Sequence, residues 1–401
     1  MEVERLAAPP VRTIAERQAH HLQLVDALRG YAILAVLMLH AWMPPPVLFK
    51  AVDDFTGKGK FGVQLFFVVS AFTLFWSLQI RIHRDARPIH AFDVRRLFRI
   101  VPLFWIAALF YTWAPNVDRS HFAPSGVGLA HLLSTLLLVH GWYPTTMNSV
   151  VPGGWSIGAE AMFYLFVPFL FMRLKTLNRA IVLLLVSAIA VAILTPVADQ
   201  RISASFPPSW RQLVYEFVYF SFPSQFPVFC CGFVLYFLLA RRAGKHGDSH
   251  RDADAIAGTV SPAVLVAAAI VLMIWTLPVH VFMAALFVPL AYGLAMCPFP
   301  RVVNPPVRYL GLISYSFYIW HFCVLNRVSP FVLAHWSRSS PWDEYTGTMQ
   351  GFVIFAAVLA ISTAIASVSY FLIERPSMRA GKWVIARMGW GEAAGRAGQP
   401  V

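Results

Sequence analysis

The stretch Leu24-Val-Asp-Ala-Leu-Arg-Gly-Tyr-Ala-Ile-Leu-Ala-Val-Leu-Met-Leu-His-Ala-Trp42 is apolar enough to enter a bilayer, yet it carries Arg29 and His40. Ionisable groups inside hydrocarbon are costly unless they face a protein interior. Eleven residues separate the two, which on a helix is three turns plus roughly 20°, so both side chains share one face about 16 Å apart along the axis. One end of that face is cationic and the other exchanges protons. Taken singly, Arg29 also fits a side chain snorkelling to a headgroup, and His40 an end cap. Sharing a face, they point to a function.

The bulk composition agrees with a bilayer setting. Of 401 residues, 58% are hydrophobic and 13% charged, and the mean hydropathy is +0.62. Such a chain is too apolar for a soluble globule. The expected fold is all-α: a polytopic transmembrane bundle of about ten spans plus one re-entrant or interfacial helix. A net charge of +13 would suit nucleic acid, but the Lys and Arg lie in short loops between apolar runs. That is the topological pattern of cytoplasmic loops, so lipid rather than nucleic acid is the expected partner. Cys230, Cys231, Cys297 and Cys323 fall in or beside apolar segments without metal-ligand spacing. They read as small core hydrophobes, and no metal is expected.

Apolar runs near the length of the hydrocarbon layer mark the spans, and basic flanks set their direction. Residues 1–23 form a cytoplasmic arm, 24–380 the membrane domain, and 381–401 a cytoplasmic tail, disordered beyond Gly389. Spans are expected near 24–42, 61–80, 101–113, 156–174, 180–197, 215–239, 261–278, 280–297, 309–331 and 350–373. The run 128–140 is too short to cross and reads as re-entrant or interfacial, a form tolerated where protein buries it. The most basic loop holds Arg81, Arg84, Arg87, Arg95, Arg96 and Arg99. Both termini are then expected to be cytoplasmic.

Four further stretches carry polar groups that the membrane must accommodate. Ser70, within Gly62 to Phe72, reads as a helix-packing hydroxyl, with no base close in sequence. Arg95, Arg96 and Arg99 stand three and four residues apart, so they converge on one patch suited either to lipid headgroups or to a phosphorylated cosubstrate. Trp155 and Ser156 open a span in which Glu160 is expected at the depth of His40, with Tyr164 one turn on. A carboxylate there either orients the imidazole or forms a structural ion pair. Ser314, Tyr315, Ser316, Tyr318, Trp320 and His321 crowd mid-span, where their polar atoms need partners or a cavity. Glu374-Arg-Pro376 is expected to clamp the last span at the cytoplasmic surface.

Together these pieces resemble the acyltransferase-3 family of integral membrane O-acyltransferases, which includes bacterial polysaccharide O-acetylases. The resemblance rests on Leu28-Arg-Gly30 with His40, Gly62 to Phe72, Arg95-Arg96 with Arg99 and Pro102, Trp155-Ser156 with Glu160, Ser314 to His321, and Glu374-Arg-Pro376, in family order. It implies transfer of an acyl group, usually acetyl, from cytoplasmic acyl-CoA to a hydroxyl of a glycan or glycosylated acceptor. Acyl-CoA (acetyl-CoA) is then a cosubstrate, and no cofactor is bound permanently. Arg29 and His40 look like the family's essential pair. Arg95, Arg96 and Arg99 fall where CoA phosphates would be met. Ser70, Trp155, Tyr164, Ser314, Tyr315, Tyr318 and His321 would line the substrate cavity, with Glu160 beside His40. Where the family commonly has Ser-Gly-Phe, this chain has Ser70-Ala71-Phe72. A proton-coupled transporter, or a non-enzymatic partner of a polysaccharide assembly machine, would use the same intramembrane charges without turnover.

Overall fold

A computed structural model describes residues 14–42, 49–114, 121–244, 277–296, 299–336 and 344–392. Eight helical stretches among them are long and apolar enough to cross a membrane: Leu22–Trp42, Lys50–Arg81, Gly154–Arg173, Leu177–Ser203, Pro208–Ala240, Val279–Met296, Ser314–His335 and Tyr345–Arg387. They fall on eight of the ten expected spans. The third expected span lies in a helix over Pro88–Trp113, whose 26 residues reach about 39 Å. The seventh, at 261–278, lies almost wholly outside the described residues, as do Cys297 and residues 1–13. No strand occurs among the described residues beyond one isolated bridge between Asp85 and Glu392.

In chain order the α-helices are α1 (Ile14–Trp42), α2 (Lys50–Thr56), α3 (Gly62–Arg81), α4 (Pro88–Trp113), α5 (Leu129–Leu136), α6 (Gly154–Arg173), α7 (Leu177–Ser203), α8 (Arg211–Phe220), α9 (Phe222–Gly244), α10 (Val279–Met296), α11 (Pro305–Leu312), α12 (Ser314–His335), α13 (Glu344–Ser369) and α14 (Arg375–Arg387). Three expected spans are interrupted: the sixth at Ser221, the ninth at Ile313, and the last by a π-helical turn over Tyr370–Glu374. Order continues past the expected tail boundary at 381. Helix α14 runs to Arg387, and the Ala86 and Arg87 amides donate to the Gly391 and Trp390 carbonyls. The arm before residue 24 is helical from Ile14.

The core is an aromatic stack between α3, α6 and α9. Phe163 lies on Phe229 at 4.0 Å between ring centres, Phe75 on Phe233 at 4.2 Å, and Phe67 on Phe229 at 4.4 Å. Elsewhere helices meet backbone to backbone, which only glycine permits. A Cβ on Gly311 of α11 would stand 1.7 Å from the Asp26 carbonyl oxygen of α1, and one on Gly30 would stand 2.0 Å from that of Val307.

Two helices begin inside the bundle rather than at its edge, and this placement decides the site. Gly62, first in α3, packs against Ala32 and Val36, near the middle of the apolar stretch Leu22–Trp42 of α1. Gly153, which leads into α6, receives the hydroxyl of Tyr318 in the first half of α12. The space beyond α6 is filled by irregular chain whose Met147, Ser149, Val150 and Val151 are buried. Irregular backbone survives at membrane depth only under such cover. Helix α5, at eight residues, reaches about 12 Å and crosses nothing, in keeping with the re-entrant or interfacial reading. Trp105 of α4 ties down its end by donating to the Leu136 carbonyl at 2.8 Å.

Candidate active site

Arg29 is carried on the face of α1 that packs inward with Ala32, Ile33, Val36 and Leu37. It opens onto a cavity between the helices. Facing it are Ser70 from α3, Arg96 and Arg99 from α4, Glu160 and Tyr164 from α6, and Ser314, Tyr315 and Tyr318 from α12. Five helices thus bring together nine of the residues that the sequence singles out.

The hydroxyls are tied down. Ser70 Oγ donates to Glu160 Oε1 at 2.5 Å, and Tyr315 donates across to the Ile100 carbonyl at 2.8 Å. Tyr318 donates to the Gly153 carbonyl at 3.0 Å and receives the Ser156 hydroxyl at 2.9 Å. Gly153 sits at φ +77°, a conformation that favours glycine. A Cβ there would meet the Tyr318 hydroxyl at 2.7 Å.

The guanidiniums, by contrast, are without hydrogen-bonding partners among the described residues, Arg96 lying over the Phe92 ring at 5.5 Å. Among the described residues, none of Arg29, Arg96 and Arg99 has a carboxylate oxygen within 4.0 Å or a side-chain hydrogen bond. Arg96 Nε is buried without a partner. Asp26, Glu160 and Glu374 act on the cluster electrostatically from further off. Three forks of N–H donors around one space, with no hydrogen-bonding protein acceptor, have the chemistry that a multivalent oxyanion would fit.

Four expected residues lie elsewhere. Arg95 does not face the cavity; it ion-pairs with Asp85, which is buried beside it. Arg95 lies 100° round the helix from Arg96, and with Arg96 turned to the cavity it is left at the edge of that arc, where Asp85 takes it up. Trp155 belongs to the core, stacked on Phe220 at 4.2 Å between ring centres. His40 and His321 form a second locality, with ring centres 5.6 Å apart and Phe322 against both, at 4.5 Å and 4.3 Å. Neither lines the cavity. Tyr318 stands between the two localities, lining the cavity while its ring lies 5.6 Å from that of His321.

Glu160 is therefore not at the depth of His40. Because α6 starts in mid-bundle, Glu160 reaches the arginine end, bonded to Ser70. The electrostatic neighbour of His40 among the described residues is His321. Glu374 is also displaced from its expected surface position. It is 2% exposed, accepts a hydrogen bond from Ser316 at 2.9 Å, and faces Arg99 and Arg29. The π turn re-aims it inward, as such turns do at functional sites. The available signal was Ser316, a mid-span hydroxyl in need of a partner.

A family description of an acyltransferase domain, Acyl_transf_3, matches residues 23–368. The chain belongs to the acyltransferase-3 family. It is similar to acyltransferase MdmB of Streptomyces mycarofaciens, 24% identical over 89% of this chain and 92% of that protein. It is similar also to exopolysaccharide production protein ExoZ of Rhizobium meliloti (strain 1021), 27% identical over 88% of this chain and 100% of that one. No solved structure matches. As a member of this family the chain is an integral membrane acyltransferase. Its Ala71, in place of the family's common glycine, has a local explanation in the packing of α3 on α9. Here the small residue is Gly232, on which a Cβ would meet the Val68 carbonyl at 2.3 Å and the Ala71 methyl at 2.6 Å. Ser70 keeps its place against Glu160 with alanine next to it.

Proposed function

We propose that this acyltransferase takes its acyl group, most simply acetyl, from acyl-CoA on the cytoplasmic side of a bacterial inner membrane. Delivery is to a hydroxyl of a glycan or glycosylated acceptor. The observation that carries the reading is the convergence of unpaired Arg29, Arg96 and Arg99 on one cavity, with an imidazole pair further along the same helix face. CoA presents phosphates at one end and a thioester at the other, and the roughly 16 Å between Arg29 and His40 is of the order of its extended pantetheine arm. The basic flanks support a cytoplasmic position for the arginine end and for both termini. The name of ExoZ, which ties that relative to exopolysaccharide, supports a glycan acceptor.

In this scheme Arg96, Arg99 and Arg29 hold the phosphates while the thioester passes Tyr318 to reach His40. His40 is the general base on the acceptor hydroxyl, because an imidazole takes and returns a proton near neutral pH. Glu160 and Ser70 belong to the donor cavity. The test incubates purified protein with labelled acetyl-CoA and polysaccharide extracted from the host. Label in the polysaccharide, with stoichiometric free CoA, is expected. Intact donor after prolonged incubation with folded protein would refute the scheme, since neither a transporter nor an assembly partner turns acetyl-CoA over.

A further inference from the structure

His321 has a hydrogen-bonding capacity that its surroundings only half meet. Its Nδ1 lies 2.7 Å from the Tyr318 carbonyl oxygen, and since a carbonyl only accepts, Nδ1 carries the ring hydrogen. In the neutral ring Nε2 then holds a lone pair. His321 is 0% exposed, and Nε2 has no hydrogen-bond partner among the described residues. An orphaned buried acceptor is costly, so its retention calls for an explanation.

The polar side chain against it is His40, at 5.6 Å between ring centres and a 35° tilt. Rings at this separation come within hydrogen-bond range, about 3.2 Å after subtracting roughly 1.2 Å per ring, when a nitrogen of each turns onto the line of centres; the bond itself is not made in this structure. His40 has no side-chain hydrogen bond to any described residue. The other walls are aromatic: Phe322 against both rings and Phe317 stacked on His321. Among the described residues no carboxylate or guanidinium acts on either ring; His321 alone acts on His40 from α12, and the Tyr318 and Phe317 backbones act on His321.

We propose that His321 is the positioning residue for His40: its Nε2 accepts a hydrogen bond from one His40 nitrogen and leaves the other free as the base. The geometry stands by itself, while its use in acyl transfer rests on the function proposed above. As the acceptor oxygen bonds to the thioester carbonyl carbon, its proton moves to the free His40 nitrogen. The carbon–sulfur bond breaks, and the proton passes from His40 to the departing sulfur as free CoA thiol. While His40 is an imidazolium, its other N–H makes a charge-assisted bond to His321. A neutral imidazole does this without the desolvation that a buried carboxylate would bring.

The test is nitrogen NMR of the full-length protein, ¹⁵N-labelled at histidine and held in lipid nanodiscs, with His40 and His321 assigned through His40→Gln and His321→Gln. It needs neither donor nor acceptor. In the wild type His321 is expected as the Nδ1–H form and His40 as a single tautomer. His321→Leu should leave His40 averaging between tautomers, and His321→Gln, whose amide oxygen accepts in place of Nε2, should preserve one. An unchanged His40 signature in His321→Leu, or a wild-type His321 protonated on Nε2, overturns the proposal; the latter is read from the wild-type spectrum once the conservative His321→Gln has assigned the signal. In the acetyl-CoA assay His321→Leu should lose about 100-fold or more in kcat at unchanged donor KM, and His321→Gln less than about 10-fold. Equal losses in both variants overturn it as well. Should the wild type transfer nothing, the functional reading fails while the tautomer spectra still decide the pairing.

Discussion

Replacing each of three neighbouring arginines by glutamine separates the cavity from the surface patch that their spacing alone suggests. Arg96 and Arg99 line the cavity without a carboxylate partner, whereas Arg95 is bound to Asp85. Each cavity guanidinium is free to make charge-assisted hydrogen bonds to a phosphate, and losing such a bond costs about 1.5–3 kcal/mol. Arg96→Gln and Arg99→Gln should therefore each weaken acyl-CoA binding by about 10-fold to 150-fold. Removing the partner of a well-buried ion costs about 3–5 kcal/mol. Here Arg81 still stands 4.0 Å from Asp85, and the Arg95 side chain is 15% exposed. The cost of Arg95→Gln is accordingly smaller, about 1–3 kcal/mol of stability, seen as a lower melting temperature with donor affinity kept. The assay is equilibrium binding of a non-hydrolysable acetyl-CoA analogue to purified protein at two salt concentrations. If Arg95→Gln weakens binding as much as Arg99→Gln, the phosphates do not sit in this cavity, and the argument from unpaired guanidiniums is wrong.

Three further outcomes follow from particular contacts. Ser70→Ala removes the 2.5 Å bond to Glu160, worth about 1.5–3 kcal/mol to a carboxylate; thermal melting should fall and donor KM rise, and wild-type values for both would show that the bond holds nothing in place. Gly311→Ala drives a methyl into the Asp26 carbonyl, whereas a Cβ on Gly57 meets open space. The first should cost about 1–3 kcal/mol or more and the second next to nothing, as read by melting temperature in detergent; equal melting of the two would contradict the α1–α11 packing. Gly232→Ala should be destabilising and partly relieved by Ala71→Gly, which removes one of the three close contacts; a double-mutant cycle without coupling would mean that α3 and α9 do not meet there.

The membrane fold is legible from apolar run lengths, because hydrocarbon thickness fixes how many residues a helix needs. The segment near 128–140 is legible for the same reason, being too short to cross. The cavity is partly legible. Arg29, Arg96, Arg99, Ser70, Glu160, Tyr164, Ser314, Tyr315 and Tyr318 are each conspicuous as polar groups in apolar sequence, and the fold gathers all nine. Hidden from the sequence were the depth of Glu160, the inward turn of Glu374, and the withdrawal of Arg95, since each depends on where a helix begins or bends.

From its sequence alone this chain is committed to a helical bundle that buries a guanidinium and an imidazole on one face, because 1.5 Å of rise per residue and the cost of charge in lipid leave little choice. Only the tertiary structure decided which groups stand beside them. Helix α6 starts in mid-bundle, under buried irregular chain that hydropathy does not register, while α3 is led in by the short helices over 50–61. That shift carries Glu160 to Ser70 and the arginines, and leaves His40 facing His321.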